Sequence, residues 1–378
     1  VGTLENFSLI HRVMFAQLAP HKLLTRCTRP RSVDRRSRGL GCPNQETGVP
    51  MQFGRYQVVR MLGQGGMATV YEACDPRLNL RVAIKVLHAA LASSPELIAR
   101  FEAEARIVNG LHHAGIVSIY DQGRLHDGAV YHVMELLEGE TLGQRLKRGA
   151  AAPLRPDETY RIIRQIADTL CTVHFHGIVH RDLKPDNLML VPDAFVPGGV
   201  RVKILDFGLA KVVNDNAKPH GIDTQVGTGL GTVDYMPPEQ ILDARNSNDR
   251  ADVYALGCIL FEMAAGRKPF LGENNIEVLG AHLTRPPPIL TEHTWEHPRQ
   301  LSNLIVAMMC KEVAQRPTMR QVVRHLDAVW GIWVRQSSNT VVMGSKPMPG
   351  PPRRTSGARS AVPPKSAPPQ SRRTLAAV

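Results

Sequence analysis

His180-Arg181-Asp182-Leu183-Lys184-Pro185-Asp186-Asn187 is the stretch on which the reading of this chain turns. Asp206-Phe207-Gly208 follows 19 residues beyond Asn187, and Gly231-Thr232-Val233-Asp234-Tyr235-Met236-Pro237-Pro238-Glu239 closes the region. Chance recurrence of these motifs in this order is negligible. Upstream, Gly63-Gln64-Gly65-Gly66-Met67-Ala68 joins two β-branched runs. No Gly-Lys-Ser/Thr follows it, so it is not a Walker loop, and no helix follows it, so it is not a dinucleotide fingerprint. A strand–loop–strand hairpin of small residues can instead lie over phosphates, its backbone N–H groups reaching the oxygens. In Val82-Ala83-Ile84-Lys85, strand alternation puts Ala83 and Lys85 on one face and Val82 and Ile84 on the other. A lysine buried there needs a counter-charge, and Glu104, in a helix predicted over Pro95–Leu111, can supply it.

With these motifs in hand, the sequence resembles the serine/threonine protein kinase family, especially its bacterial eukaryotic-like members. The resemblance covers about residues 56–330. It implies an α+β, bilobal protein-kinase fold, with a β-rich N-lobe (56–135) carrying one major helix and an α-helical C-lobe (138–330). The resemblance further implies ATP and Mg²⁺ as cofactors, with Mn²⁺ as a substitute, and transfer of the γ-phosphate to protein Ser/Thr hydroxyls. Asp182 is then the residue that accepts the substrate hydroxyl's hydrogen bond and proton, and Lys184 reaches the γ-phosphate. Asn187 and Asp206 are the oxygen ligands of the metal, and Lys85, tethered by Glu104, holds the α- and β-phosphates. The nucleotide site takes in Leu62, Gly63, Gln64, Gly65, Gly66, Met67 and Ala68 of the loop. Val70 and Ala83 lie above the purine and Met189 below it. Met134 forms the back wall, beside the connector Glu135-Leu136-Leu137. The loop ends in Ala68 where the family pattern has a third glycine, so its tip is stiffer.

The Asp-Leu-Lys-Pro-Asp-Asn loop accompanies serine/threonine acceptors in this family, and Thr232 matches the position near the acceptor. Arg181 before Asp182 marks control by activation-segment phosphorylation, so Thr224, and after it Thr228, are the expected autophosphorylation sites. Self-association is the route to that reaction. Glu239 and Arg316 resemble the pair that ties the activation segment to the large lobe, and Asp252 the residue that braces the catalytic-loop backbone. Two other classes stand beside this reading, a non-catalytic scaffold and a small-molecule phosphotransferase. The intact set of six polar residues argues against the first, and the Thr232–Glu239 segment against the second. Adjacent His112 and His113 point apart on a helix end and make no metal site.

Composition sets the bounds. The 378 residues are 43% hydrophobic and 21% charged, enough for a large core. The formal charge of +12 is concentrated at the ends. Residues 1–50 hold eight Lys/Arg against three Asp/Glu, and residues 335–378 hold eight Lys/Arg and no acid, leaving the body near −1. No nucleic-acid partner is therefore expected; the partners are protein substrates. Residues 1–50 read as a basic, disordered extension or an over-extended start before Met51, with a transit peptide as the lesser reading. Residues 331–378 read as a basic, Pro/Ser/Arg-rich, disordered tail. Its Arg353-Arg354-Thr355-Ser356 and Arg372-Arg373-Thr374 are basic-flanked hydroxyls. Six scattered cysteines without a CxxC pair are expected to be reduced thiols. No run approaches the length of a spanning helix, and the expected location is the cytoplasm. Short β-branched runs at Tyr56–Leu62, Thr69–Ala73, Val82–Leu87 and Val130–Glu135 predict strands, and Asp157–His176 and Asp252–Ala265 predict helices. Pro197-Gly198-Gly199 reads as a turn in a hairpin longer than the family's usual one.

Overall fold

Alternating β-branched and aromatic residues in the first third of the chain pair into one antiparallel sheet. In the computed structural model, which describes residues 51–125, 128–149, 153–207, 233–243, 247–290 and 297–343 with side chains through Val334, this sheet has six strands. They are β1 (Gln52–Phe53), β2 (Tyr56–Gln64), β3 (Ala68–Asp75), β4 (Leu80–Leu87), β5 (Ile119–Arg124) and β6 (Val130–Glu135), ordered β1-β2-β3-β4-β6-β5. Val82 and Ile84 of β4 pack with Phe53, Tyr56, Ala73 and Val133 on one face. Leu87 packs with Phe101 and Val130 on the other. Two register shifts in β2, between Val58 and Arg60 and between Met61 and Gly63, interrupt its ladder with β3 just before the glycine-rich turn.

The face that carries Leu87 is covered by α1 (Pro95–Gly110). Ser94 caps it, accepting from the Leu97 amide, and Pro95 occupies the first turn, where its missing N–H costs nothing. Phe101, Glu104, Ala105 and Val108 recur at three- and four-residue steps and are all buried. That periodicity carries a carboxylate into the interior among apolar neighbours, which is chemically affordable only with a partner beneath it.

The second lobe is built around a helix buried on every side. In α5 (Asp249–Ala265), 13 of 17 residues are buried, too many for an amphipathic surface helix. Asn248 caps its start, and Gly266, at φ 71°, ends it in the left-handed conformation. Around it stand α2 (Leu142–Arg148), α3 (Pro156–Phe175), α4 (Pro238–Leu242), α6 (Asn275–Thr284), α7 (Arg299–Met308) and α8 (Met319–Met343). A small sheet of β7 (Glu140–Thr141), β8 (Leu188–Pro192) and β9 (Val200–Ile204) adds Leu188, Leu190, Val202 and Ile204 to the same core. The turn between β8 and β9 holds Gly198 and Gly199 at φ 88° and 72°, a conformation only glycine adopts readily. The lobes meet through Ala105, Val108, Leu111, Ile116, Ile119, Val173 and Phe207.

Three features depart from expectation. Helix α8 continues past residue 330 to Met343. The reason is visible at its middle, where Trp330 stacks on Tyr160 of α3 at 4.4 Å and on Trp333 at 4.8 Å. Asp327 receives hydrogen bonds from Tyr160 (2.9 Å) and Arg164 (2.8 Å). Cys74, buried at the end of β3, is disulfide-bonded rather than reduced, whereas Cys171, Cys258 and Cys310 are free. The short strands β1, β5 and β7 are too polar or too brief for their periodicity to announce them. Among the described residues no helix is long and apolar enough to cross a membrane.

The Trp330 stack carries a measurable share of stability. Trp330→Ala should lower unfolding free energy by about 2–3 kcal/mol, read as a shift in the urea midpoint at unchanged slope.

Candidate active site

Lys85 is where the two lobes exchange charge. Its ammonium lies 2.7 Å from Asp206 Oδ1 and 3.7 Å from Glu104 Oε1. Desolvation works to lower the lysine's pKa, but the two carboxylates hold it above its ordinary value. Burial pushes the Glu104 carboxyl up to about 7, against the pull of Lys85. Burial also opposes ionisation of Asp206, yet the Lys85 charge carries its carboxyl below the usual range. Asp206 stands at φ 47°, a strained backbone for a non-glycine residue. Phe207, 2% exposed, anchors it by packing under α1 with Ala105 and Val108. The aspartate is thereby turned toward the sheet.

The second cluster is the stretch from His180 to Asn187. Lys184 Nζ donates to Asp182 Oδ2 at 2.8 Å. Asn187 Nδ2 donates to the Asp182 carbonyl at 2.8 Å and to its Oδ2 at 3.3 Å. The asparagine's nitrogen is spent on Asp182, which leaves its carbonyl oxygen as the atom to face a cation. Below, Asp252 of α5, 1% exposed, accepts from the backbone amides of His180 (2.9 Å) and Arg181 (3.0 Å). His174 Nε2 is 2.8 Å from the same carboxylate. Burial would raise Asp252, but His174 and the amides carry its carboxyl below the usual range. This brace holds Arg181 at φ 65°, and Gln240 donates to the Arg181 carbonyl at 3.0 Å. His180 donates through Nε2 to the Leu205 carbonyl at 3.0 Å, joining the loop to the strand that ends at Asp206.

The glycine-rich turn joins β2 to β3, closed by the Gly65 amide on the Ala68 carbonyl at 2.9 Å. None of Gly63, Gly65 and Gly66 has a positive φ. A Cβ added at Gly63 or Gly66 would meet nothing within 4 Å, and one at Gly65 only the Ala68 carbonyl at 3.7 Å. Neither backbone conformation nor packing requires glycine here, so the open space is available to a ligand. Leu62, Gln64 and Met67 are exposed on the same turn. Cross-strand pairing sets Val70 opposite Lys85 and Ala83 opposite Met134, giving one continuous face. Met189 lies on β8, and Glu135, Leu136 and Leu137 form the half-buried connector.

Sequence reasoning missed two residues of this site. His174 joins the Asp252 brace. Lys203 of β9 donates to Glu135 at 2.6 Å and to the Ile116 carbonyl at 3.2 Å, while Glu135 accepts from the Ser118 amide at 2.7 Å. These bonds tie the connector, the loop after α1 and the strand leading to Asp206 into one unit. The spacing of Lys203 three residues before Asp206 is the only sequence signal, and it is weak. Glu239 meets Arg316 in a bidentate pair at 2.6 and 2.7 Å, and Arg316 is 2% exposed. Gly208, Thr224, Thr228 and Thr232 lie outside the described residues. Among the described residues no group of three or more His, Cys, Asp or Glu is arranged to hold a metal by itself.

The protein kinase domain family model matches residues 56–326. Serine/threonine-protein kinase PknA of Mycobacterium tuberculosis is 39% identical over 267 residues, 70% of this chain and 58% of that protein. Serine/threonine-protein kinase Pkn1 of Myxococcus xanthus is 43% identical over 245 residues, covering 65% and 34% respectively. PrkC of Bacillus subtilis is 37% identical over 263 residues, covering 70% and 38%. The chain thus spans little more than half the length of PknA, and less of the other two. The crystal structure of the Mycobacterium tuberculosis PknI kinase domain aligns with a TM-score of 0.55 at 24% identity, over 75% of this chain and 99% of that one. It shares the fold.

Breaking the Glu239–Arg316 pair should be costly because it strands a buried guanidinium. Glu239→Ala is expected to lose about 3–5 kcal/mol in chemical denaturation. The double change Glu239→Leu with Arg316→Met should lose less than the single one.

Proposed function

The chain belongs to the protein kinase family, and on that premise we propose that it transfers the γ-phosphate of ATP to serine and threonine hydroxyls of proteins. The observation that carries this reading is the contact of Lys85 with Asp206, 121 residues apart in the chain, with Glu104 behind them. An ammonium held by two carboxylates beside an open glycine turn fits a polyphosphate with a divalent cation. The naming of PknA, Pkn1 and PrkC as serine/threonine-protein kinases supports the choice of acceptor, as does Lys184 in the catalytic loop.

In this reading Lys85 binds the α- and β-phosphates, and Glu104 keeps it from collapsing onto Asp206 alone. Asp206, half-exposed with Oδ1 on Lys85, and the carbonyl oxygen of Asn187 are hard donors suited to Mg²⁺, with Mn²⁺ able to take its place. When bound, the cation neutralises charge developing on the transferring phosphoryl group. Asp182 orients the acceptor hydroxyl and takes its proton, and Lys184 stabilises the γ-phosphate oxygens. Gly63 to Ala68 covers the phosphates. Leu62, Val70, Ala83, Met134, Glu135, Leu137 and Met189 enclose the purine. The kinase domain runs from residue 56 to about 330, flanked by the basic extension and the tail, and it acts in the cytoplasm.

Control is proposed to run through Arg181. Its Nη1 is buried without a hydrogen-bond partner among the described residues, and the Ser247 hydroxyl nearby has none either. A phosphate on Thr224, or on Thr228, supplies the acceptor oxygens that such a guanidinium lacks. Thr232 and Glu239 then shape the shelf for the substrate peptide, and self-association brings one activation segment to another molecule's Asp182.

Asp182→Asn should lower kcat by about 10²–10⁴-fold while nucleotide binding is retained; Lys85→Met and Asp206→Ala should lose turnover together with nucleotide affinity. A radiolabelled-ATP assay beside ADP titration checks both, and full turnover in Asp206→Ala would sink the reading. Mass spectrometry of active enzyme should find phosphate on Thr224 or Thr228, and none in Asp182→Asn. Active enzyme bare at both threonines would remove the regulatory proposal.

A further inference from the structure

The connector between the lobes is pinned at both ends. At its start, Glu135 of β6 pairs with Val82 of β4, and Lys203 holds its carboxylate. At its end, Glu140 of β7 pairs with Leu190 of β8. Gly139 lies so close to that strand that a Cβ there would run into the Leu190 carbonyl, so it moves with the large lobe. Rotation of one lobe against the other is thereby confined to Leu136, Leu137 and Glu138.

Arg81 reaches across this short pivot. It stands two residues before Ala83 on the same face of β4, the face that looks into the cleft. Its Nη1 donates to Glu138 Oε1 at 2.9 Å, 57 residues further along the chain. Its guanidinium is already fixed from the other side: Nε donates to Glu72 Oε1 at 2.8 Å, and Nη2 lies 2.6 Å from the same oxygen. Glu72 is 3% exposed, and Arg60 Nη2 stands 2.8 Å from its second oxygen. An exposed ion pair is ordinarily worth little, because two long side chains must be ordered to form it. Here a buried carboxylate orders the arginine beforehand, and Glu138, 74% exposed, is the partner left to give up freedom. The pair lies on the cleft side of the pivot, so parting the lobes stretches it.

We propose that Arg81 is a positioning residue: seated on Glu72, it straps the small lobe to the connector through Glu138, and the lobes part to release nucleotide by rupture of the Arg81–Glu138 bond. The inference rests on the nucleotide reading of the cleft given above. Neither Arg81 nor Glu138 is among the residues assigned to hold the nucleotide or to move the phosphoryl group, so the strap governs how long nucleotide stays and not the chemical step. Its sign sets it apart from a simple field effect. Glu138 is an anion beside a site for an anionic ligand, and removing it by charge alone would slow release. Loss of a strap speeds it.

The test is stopped-flow release of a fluorescent ADP, with Mg²⁺, from the full chain. Glu138→Ala, an exposed change that leaves Glu72 paired, should speed release roughly threefold at low ionic strength. Arg81→Met should do the same, and the double variant should be no faster than either single one. In about 1 M salt, where the screening length falls to ~3 Å, the wild type should approach Glu138→Ala. The KM for ATP should rise in Glu138→Ala while the single-turnover rate at saturating ATP stays unchanged. If Arg81→Met does not fold, Glu138→Ala and its salt dependence still decide. Unchanged or slower release from Glu138→Ala, or effects that multiply in the double variant, overturns the proposal. A wild type that binds no ADP with Mg²⁺ sinks the kinase reading and the strap with it.

Discussion

A buried ammonium cannot remain where it is without carboxylates around it, and that requirement organises this molecule. Lys85 sits on β4, Glu104 on α1, and Asp206 just past the end of β9. Lys85 and Glu104, both largely shielded from water, are tolerable in their positions only because an opposite charge stands beside each. The apolar contacts at the junction, with Phe207 under Ala105 and Val108, bring the elements near. The charges then decide their register. A sheet and a helical lobe that could otherwise pack at many angles are held at the one that brings Lys85, Glu104 and Asp206 together.

A second constraint works from below. The helix α5 is buried nearly throughout, yet it carries Asp252 at 1% exposure into the backbone of the catalytic loop. Burying a carboxylate is justified here by the donors that converge on it, two amides and His174. The loop thus takes its strained turn at Arg181 from the core of the lobe rather than from its own sequence. The Glu239–Arg316 pair repeats the device, fixing α4 to the segment before α8.

Much of this was legible in the amino-acid sequence because phosphoryl transfer restricts which side chains can stand at which spacing. Lys85, Glu104, Asp182, Lys184, Asn187 and Asp206 were readable as a set, and the strands around Ala83 and Met134 followed from simple alternation. Glu135 and Lys203 were opaque as a pair for the opposite reason. A glutamate and a lysine are ordinary on any surface, and only the fold reveals that they meet at 2.6 Å. Arg81 was hidden likewise, since a lone arginine in a strand says nothing of the two carboxylates it joins. The helix beyond residue 330 could have been suspected from Trp330 and Trp333, three apart on one face, but composition weighed toward a tail. Strands β1 and β5 carry too little apolar pattern to be seen alone.

The distance along the chain between Asp182 and its supports has a consequence for biosynthesis. A ribosome makes the sheet and α1 first, and such units fold as they emerge. The loop at His180 and Arg181 must wait for Asp252, and Glu239 must wait for Arg316. A half-made polypeptide can own Lys85, Glu104, Asp182, Asn187 and Asp206 and still lack the scaffold that aligns them. Competence therefore arrives late in translation, and truncated products are born inert.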